Sequence, residues 1–74
     1  MTLAQLGAGQ SARVLGVEGG WGLRRNLEQL GIHPGDIVAV ARTGAFHGPI
    51  LVEVHGSRVA LGRGVAGRIY VEPI

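Results

Sequence analysis

Apolar residues recur along this chain with two different periods, and the change of period marks its elements. Leu23, Leu27 and Leu30 stand on one face of a helical period, while Arg24, Arg25, Glu28 and Gln29 fall on the other. This predicts one short amphipathic helix from about Gly22 to Leu30. Gly31 is placed to turn left-handed past its end, with Ile32 packing back and Pro34 preventing continuation. Gly19-Gly20 offers only a weak cap at its start. Pro34 and Gly35 occupy the central positions of His33-Pro34-Gly35-Asp36, the preference of a type II turn.

Elsewhere the period is that of short strands. Leu3 and Leu6 lead into a glycine-rich turn, and a first strand is predicted over Ser11 to Val17, where Gly16 marks a bulge. Ile37 to Arg42 is a second strand, apolar on both faces. Ile50 to His55 is a third, with Ile50, Val52 and Val54 inward and Leu51, Glu53 and His55 outward. Gly56-Ser57 reads as a two-residue hairpin of the Gly-X kind, after which Arg58 to Leu61 pairs back with Val59 and Leu61 inward. A turn with one helical turn near Val65-Ala66 leads to a closing strand over Arg68 to Glu72. Five short strands and one inserted helix predict a small, mainly β barrel, closed so that no edge is exposed.

The composition narrows this picture. The 74 residues are expected to form one domain, near the lower size limit for folding unaided, where only about 60% of the unfolded surface is buried. Aromatic residues are 4% of the chain, so the core is aliphatic. With 14 glycines set singly or in pairs between apolar runs, the pattern is one of many tight turns. The absence of cysteine excludes disulfides and thiolate metal sites. The first residues carry no signal-like pattern, and the longest apolar run, Ile37 to Ala41, is far too short to span a bilayer. A soluble, cytoplasmic location without membrane insertion is the expectation. The net charge of +2 rests on seven scattered arginines, of which only Arg24 and Arg25 are adjacent. A nucleic-acid footprint is normally a clustered basic face with aromatics, so no nucleic-acid partner is expected.

Candidate chemistry is sparse. No catalytic residues are assigned: Ser11 and Ser57 sit in a strand start and a turn, and no acids are paired for acid/base work. Gly19-Gly20-Trp21-Gly22 precedes a helix but lacks the Lys and Ser/Thr of a phosphate-binding loop, so no cofactor is expected. A metal site would draw on His33, His47 and His55, with Glu53 beside His55. These histidines fall on a turn, a loop tip and a strand end without ligand-like spacing, and read as solvated surface residues.

The order of motifs carries a resemblance over nearly the whole chain, from Leu3 to Glu72. Leu27-x-x-Leu30-Gly31-x-x-Pro34-Gly35, then Val38-x-Val40-x-Arg42, a loop ending Pro49-Ile50, and Ala60-Leu61 closing a hairpin resemble the ferrous iron transport protein A (FeoA) family. The resemblance implies an SH3-like barrel that accompanies FeoB, a membrane ferrous iron transporter with a cytosolic GTP-binding domain. It extends to the C-terminal domain of iron-dependent repressors of the DtxR type, whose DNA-binding helices this chain has no room for. The loop from Arg42 to Ile50 departs from the family's Arg-x-Ala-Pro-Leu-Gly-Asp-Pro-Ile: Gly48 replaces the acid and His47 a glycine. Gly62 stands where the family often has Arg.

These readings converge on a non-catalytic adaptor of ferrous iron uptake that docks onto the transporter's cytosolic domain. Trp21, Arg24, Arg25 and Glu28 are the expected contact surface, with the loop at Phe46-His47 second, because Trp and Arg dominate binding hot spots. Trp21 either stands exposed beside the arginines or folds over the barrel mouth. Leu51, Ala39 and Ala41 are expected outward on neighbouring strands; as a patch they would serve docking or self-association unless the N-terminal segment or the helix covers them. Two rivals belong to other classes. One is a nucleic-acid-binding barrel using Arg13, Arg42, Arg58 and Arg68; the other is a metal-sensing regulatory domain using His47 and His55.

Overall fold

The structure is a computed structural model and describes residues 1–44, 46 and 48–74. Five antiparallel strands, β1 (Ser11–Val17), β2 (Ile37–Thr43), β3 (Ile50–Val54), β4 (Ser57–Leu61) and β5 (Ile69–Pro73), form one sheet in the order β4-β3-β2-β1-β5. Helix α1 (Trp21–Gln29) follows β1, and the single turn α2 (Arg63–Ala66) joins β4 to β5. The expected mainly β architecture, with one helix inserted after the first strand, is present.

Alternation along the strands builds the core. Ala12 and Val14, Val38 and Val40, Ile50, Val52 and Val54, Leu61, and Ile69 and Val71 turn to one face and are buried. Leu3, Leu6, Leu27, Ile32 and Ala66 close over that face from the N-terminal segment, the two helices and the turn after α1. No polar or charged residue is buried among the described residues, as expected for a core filled by aliphatic side chains.

The barrel is not hydrogen-bonded all the way round. Among the described residues no ladder joins β4 to β5, so both are sheet edges. The β5 edge is covered instead by the N-terminus: Thr2 bridges to Tyr70, and the Val71 N–H donates to the Met1 carbonyl at 2.9 Å. Leu3 and Leu6 anchor this cover in the core. The expected closure therefore gives way to edge protection by a peripheral segment, another way of blunting an edge strand.

Gly16 lies at the expected irregularity, where the register moves from Val14↔Val71 to Gly16↔Tyr70. A second irregularity falls between Val40 and Arg42, and Ala41 there is exposed. Ala39 and Leu51 are half-buried, with Arg42, Glu53 and Arg58 interleaved around them, so the outer face is not a continuous apolar patch. Of the two alternative covers for such a patch, the N-terminal segment lies along β5.

Two details of the helix and the hairpin differ from the sequence reading. Leu27 is buried, but Leu23 is only partly so and Leu30 is 38% exposed. The helix stops at Gln29, and Gly31 turns left-handed with φ of 87°. The Gly31 N–H then donates to Glu28 at 3.0 Å and the Ile32 N–H to Leu27 at 2.9 Å, a complete Schellman motif. That reversal seats Ile32, rather than Leu30, beside Leu27. In the β3–β4 hairpin the register is Val54↔Ser57, so the turn residues are His55-Gly56 rather than Gly56-Ser57. Both have positive φ, 51° and 78°, the signature of a type I′ turn, which matches the strand twist.

Candidate functional site

Helix α1 presents the most distinctive surface. Its inward side is committed to the core through Leu27, leaving Trp21, Arg24, Arg25, Glu28 and Gln29 outside. Trp21 is 73% exposed, so of its two expected placements the exposed one is found. The Arg25 guanidinium lies over the indole, 5.0 Å from the ring centroid, as residues four apart on a helix can. At an exposed site such a contact stabilises by about 0.5–1 kcal/mol, enough to bias both side chains toward one arrangement. Arg24 and Arg25 make no ion pair with a carboxylate among the described residues, although Glu28 stands one turn beyond Arg24.

This face is bordered by two depressions. One, of about 270 Å³, lies between α1 and the bulged end of β1, lined by Gly16, Val17, Arg24, Glu28, Ile32 and Pro34. The other is shallower, about 680 Å³, and runs past Trp21, Arg24, Arg25, Glu28, Gln29 and His33. Arg24 and Glu28 border both, so the pair forms a ridge between them.

Below the helix end, the structure assembles a group that is scattered in the sequence. Asp36 Oδ2 accepts the His33 backbone N–H at 2.8 Å and lies 3.1 Å from the His33 Nδ1. Asp36 Oδ1 lies 3.1 Å from the His55 Nε2, across from the β3–β4 hairpin. The His33 backbone N–H holds the Asp36 carboxyl below its usual value; partial desolvation opposes this, and contacts with both imidazoles reinforce it. His33 and His55 are thus bridged by one carboxylate rather than isolated. Each ring addresses a different oxygen, and among the described residues no three His, Asp or Glu side chains converge on a metal position. Glu53 is engaged elsewhere: it accepts a hydrogen bond from the Arg58 Nε at 3.3 Å on the neighbouring strand. His47 lies outside the described residues.

In the sequence Asp36 reads only as the last residue of a turn, which hides its role in the bridge. The turn forms as expected, with the Asp36 N–H donating to the His33 carbonyl at 3.0 Å. An acid three residues after His33 can also reach back to that residue's own N–H, which is the signal that was available. The bridge has a structural consequence. His55 is a non-glycine residue with φ of 51°, an uncommon conformation in which His is nonetheless enriched, and its contact with Asp36 ties that turn to the start of β2.

The remaining candidates are dispersed. Phe46 is fully exposed at the loop tip. Arg58 is the donor to Glu53, Arg13 stands opposite Glu72 in the β1–β5 ladder without an ion pair among the described residues, and Arg68 lies in the turn before β5. The Tyr70 hydroxyl donates to Glu18 Oε2 at 2.6 Å. No helix among the described residues is long and apolar enough to cross a membrane.

Comparison with known proteins agrees with the resemblance drawn from the motifs. A family model described as the FeoA domain matches residues 1–73. The putative Fe(2+) transport protein A of Methanocaldococcus jannaschii is 34% identical over 64 residues, spanning 86% of this chain and 76% of that protein. A crystal structure of an iron uptake regulatory protein, FeoA, superposes with a TM-score of 0.91 at 34% identity, covering 100% of this chain and 96% of that one. FeoA of Stenotrophomonas maltophilia, an SH3 domain protein solved with zinc, gives 0.83 at 33% identity, with 97% and 89% covered. A manganese-dependent transcriptional repressor shares the fold over 41% of its length, with a TM-score of 0.90 at 23% identity over all of this chain. The sheet order, the inserted helix and the family match together establish that this chain belongs to the FeoA family of ferrous iron transport proteins.

Proposed function

We propose that this FeoA protein, an accessory of ferrous iron transport, is a non-catalytic cytosolic adaptor that docks through the outer face of α1 onto the cytosolic GTP-binding domain of a FeoB-type transporter. The observation that carries the reading is the state of that face. Trp21 stands 73% exposed in a chain with only three aromatic residues, with Arg25 stacked over it. An exposed indole held beside guanidinium groups has the composition of a binding hot spot. Trp21, Arg24, Arg25 and Glu28 form the primary contact, and the loop bearing Phe46 and His47 the secondary one. As an adaptor, the protein shifts the transporter only to the extent that it binds one of its conformations more tightly.

The test is an NMR titration of the labelled protein with the transporter's cytosolic domain, with ferrous iron alone as the control. Resonances from Trp21 to Glu28 are expected to move with the domain and not with iron. Trp21→Ala and the double variant Arg24→Ala with Arg25→Ala are expected to weaken binding by about tenfold or more at unchanged melting temperature. Unchanged affinity in both variants would remove the reading. Shifts at His33, His47 or His55 with iron and none with the domain would replace it with metal sensing.

A further inference from the structure

The cleft between α1 and β1 has a chemical character of its own. Its floor is apolar: Ile32 is buried, Val17 is half-buried, and Pro34 and Gly16 complete the wall. Its rim is charged, carrying Arg24 and Glu28, with Arg25 one residue along the helix. At about 270 Å³ it is smaller than the roughly 300–1,000 Å³ of ordinary small-molecule sites, and it suits one side chain rather than a whole ligand. The shallower groove continues it past Arg25 and Trp21 to His33, which gives an extended chain room to run beyond the cleft.

We infer that this cleft takes a single aliphatic side chain from an extended acidic peptide segment, whose carboxylates are met by Arg24 and Arg25. The inference rests on the docking reading above and adds the chemistry of the segment that docks. Charge complementarity decides the occupant. Two guanidinium groups stand against one carboxylate on this face, and neither makes an ion pair among the described residues. An acidic segment supplies the missing partners, and guanidinium is the cation best shaped to hold a carboxylate through two hydrogen bonds. A basic segment would set like charges against Arg24 and Arg25.

The charged rim gives a second handle. Arg24 and Arg25 are both exposed on α1, so Arg24→Glu with Arg25→Glu is expected to reverse the charge of the rim without unfolding the protein.

The experiment uses the full chain and three synthetic pentapeptides: Asp-Glu-Leu-Asp-Glu, Asp-Glu-Gly-Asp-Glu and Lys-Lys-Leu-Lys-Lys. Binding is followed by amide shifts at Gly16, Val17, Arg24, Glu28 and Ile32. The leucine-containing acidic peptide is expected to move these resonances and to weaken as salt rises. Loss of its leucine, or Arg24→Glu with Arg25→Glu at unchanged melting temperature, is expected to cost roughly tenfold or more in affinity. Equal binding of the glycine or the lysine peptide overturns the inference. So does silence of all three while the transporter domain still moves the α1 resonances, a result that leaves docking intact. Acidic-peptide binding at the cleft, with no effect of the transporter domain on α1, sustains the inference and removes the transporter as the partner.

Discussion

Replacing Gly31 by Ala tests the geometry that ends α1. Gly31 has φ of 87° and passes two hydrogen bonds back to the helix, its own N–H to Glu28 and the Ile32 N–H to Leu27. A Cβ in the left-handed region costs about 1–2 kcal/mol. The added methyl would lie 3.4 Å from Cδ2 of His55, a contact that this exposed ring can relieve, so the backbone cost dominates. For a domain of this size each kcal/mol moves the melting temperature by about 4–8 °C, giving an expected fall of roughly 4–16 °C. Thermal unfolding by far-ultraviolet circular dichroism is the suitable assay, because Trp21 is too exposed for its fluorescence to report on the core. Gly22→Ala serves as the opposing control. It lies inside the helix without a positive φ, and a methyl added there would meet no atom within 4 Å, so it is expected to stabilise by about 0.4–1 kcal/mol. The same chemical change then has opposite signs at positions nine residues apart. Gly31→Asn is expected to fall between Gly and Ala, because Asn tolerates the left-handed region better than Ala. A loss below about 0.5 kcal/mol for Gly31→Ala, or a loss of similar size for both alanine variants, would refute the argument.

Two further predictions concern the polar contacts. Because the Asp36 carboxyl is held below its usual value in the folded state, its contribution to stability is present above its unfolded pKa and is lost as pH falls through the folded one. Asp36→Asn is expected to flatten the acid limb of the melting temperature against pH, and a limb identical to that of the parent would contradict the bridge. Tyr70 is the chain's one tyrosine, and its hydrogen bond to Glu18, reinforced by that carboxylate's charge, raises its pKa above the usual value. An ultraviolet titration therefore reads one group, and Glu18→Gln is expected to lower its midpoint; an unmoved midpoint would count against the contact.

Much of the fold was legible in local sequence. The leucine spacing, Gly31 after the helix, the Pro34-Gly35 turn and the inward Ile50, Val52 and Val54 all express local backbone preference or strand alternation. Those signals act over a few residues, which is why they survive without knowledge of the partner strand. The hairpin turn between β3 and β4 was misplaced for the same reason. Gly56 fits either turn locally, and both registers keep Val59 and Leu61 on the inward side. The left-handed His55, with its ring against Asp36 nineteen residues away, belongs to the register that forms.

By itself the sequence determined the composition of the core, the position and end of the helix, the five strands and, through the order of its motifs, the family. The exposed face of α1 was also readable, because a helix with leucines on one side must turn Arg24, Arg25 and Glu28 to the other. Only the tertiary structure decided that Trp21 stands out in solvent, that β5 is covered by Met1 and Thr2 rather than by β4, and that His33 and His55 share Asp36. It alone formed the cleft between Arg24 and Gly16, whose walls come from a helix and a strand. These features join residues distant in the chain, and a period of two or of 3.6 residues carries no information about which distant element will lie alongside.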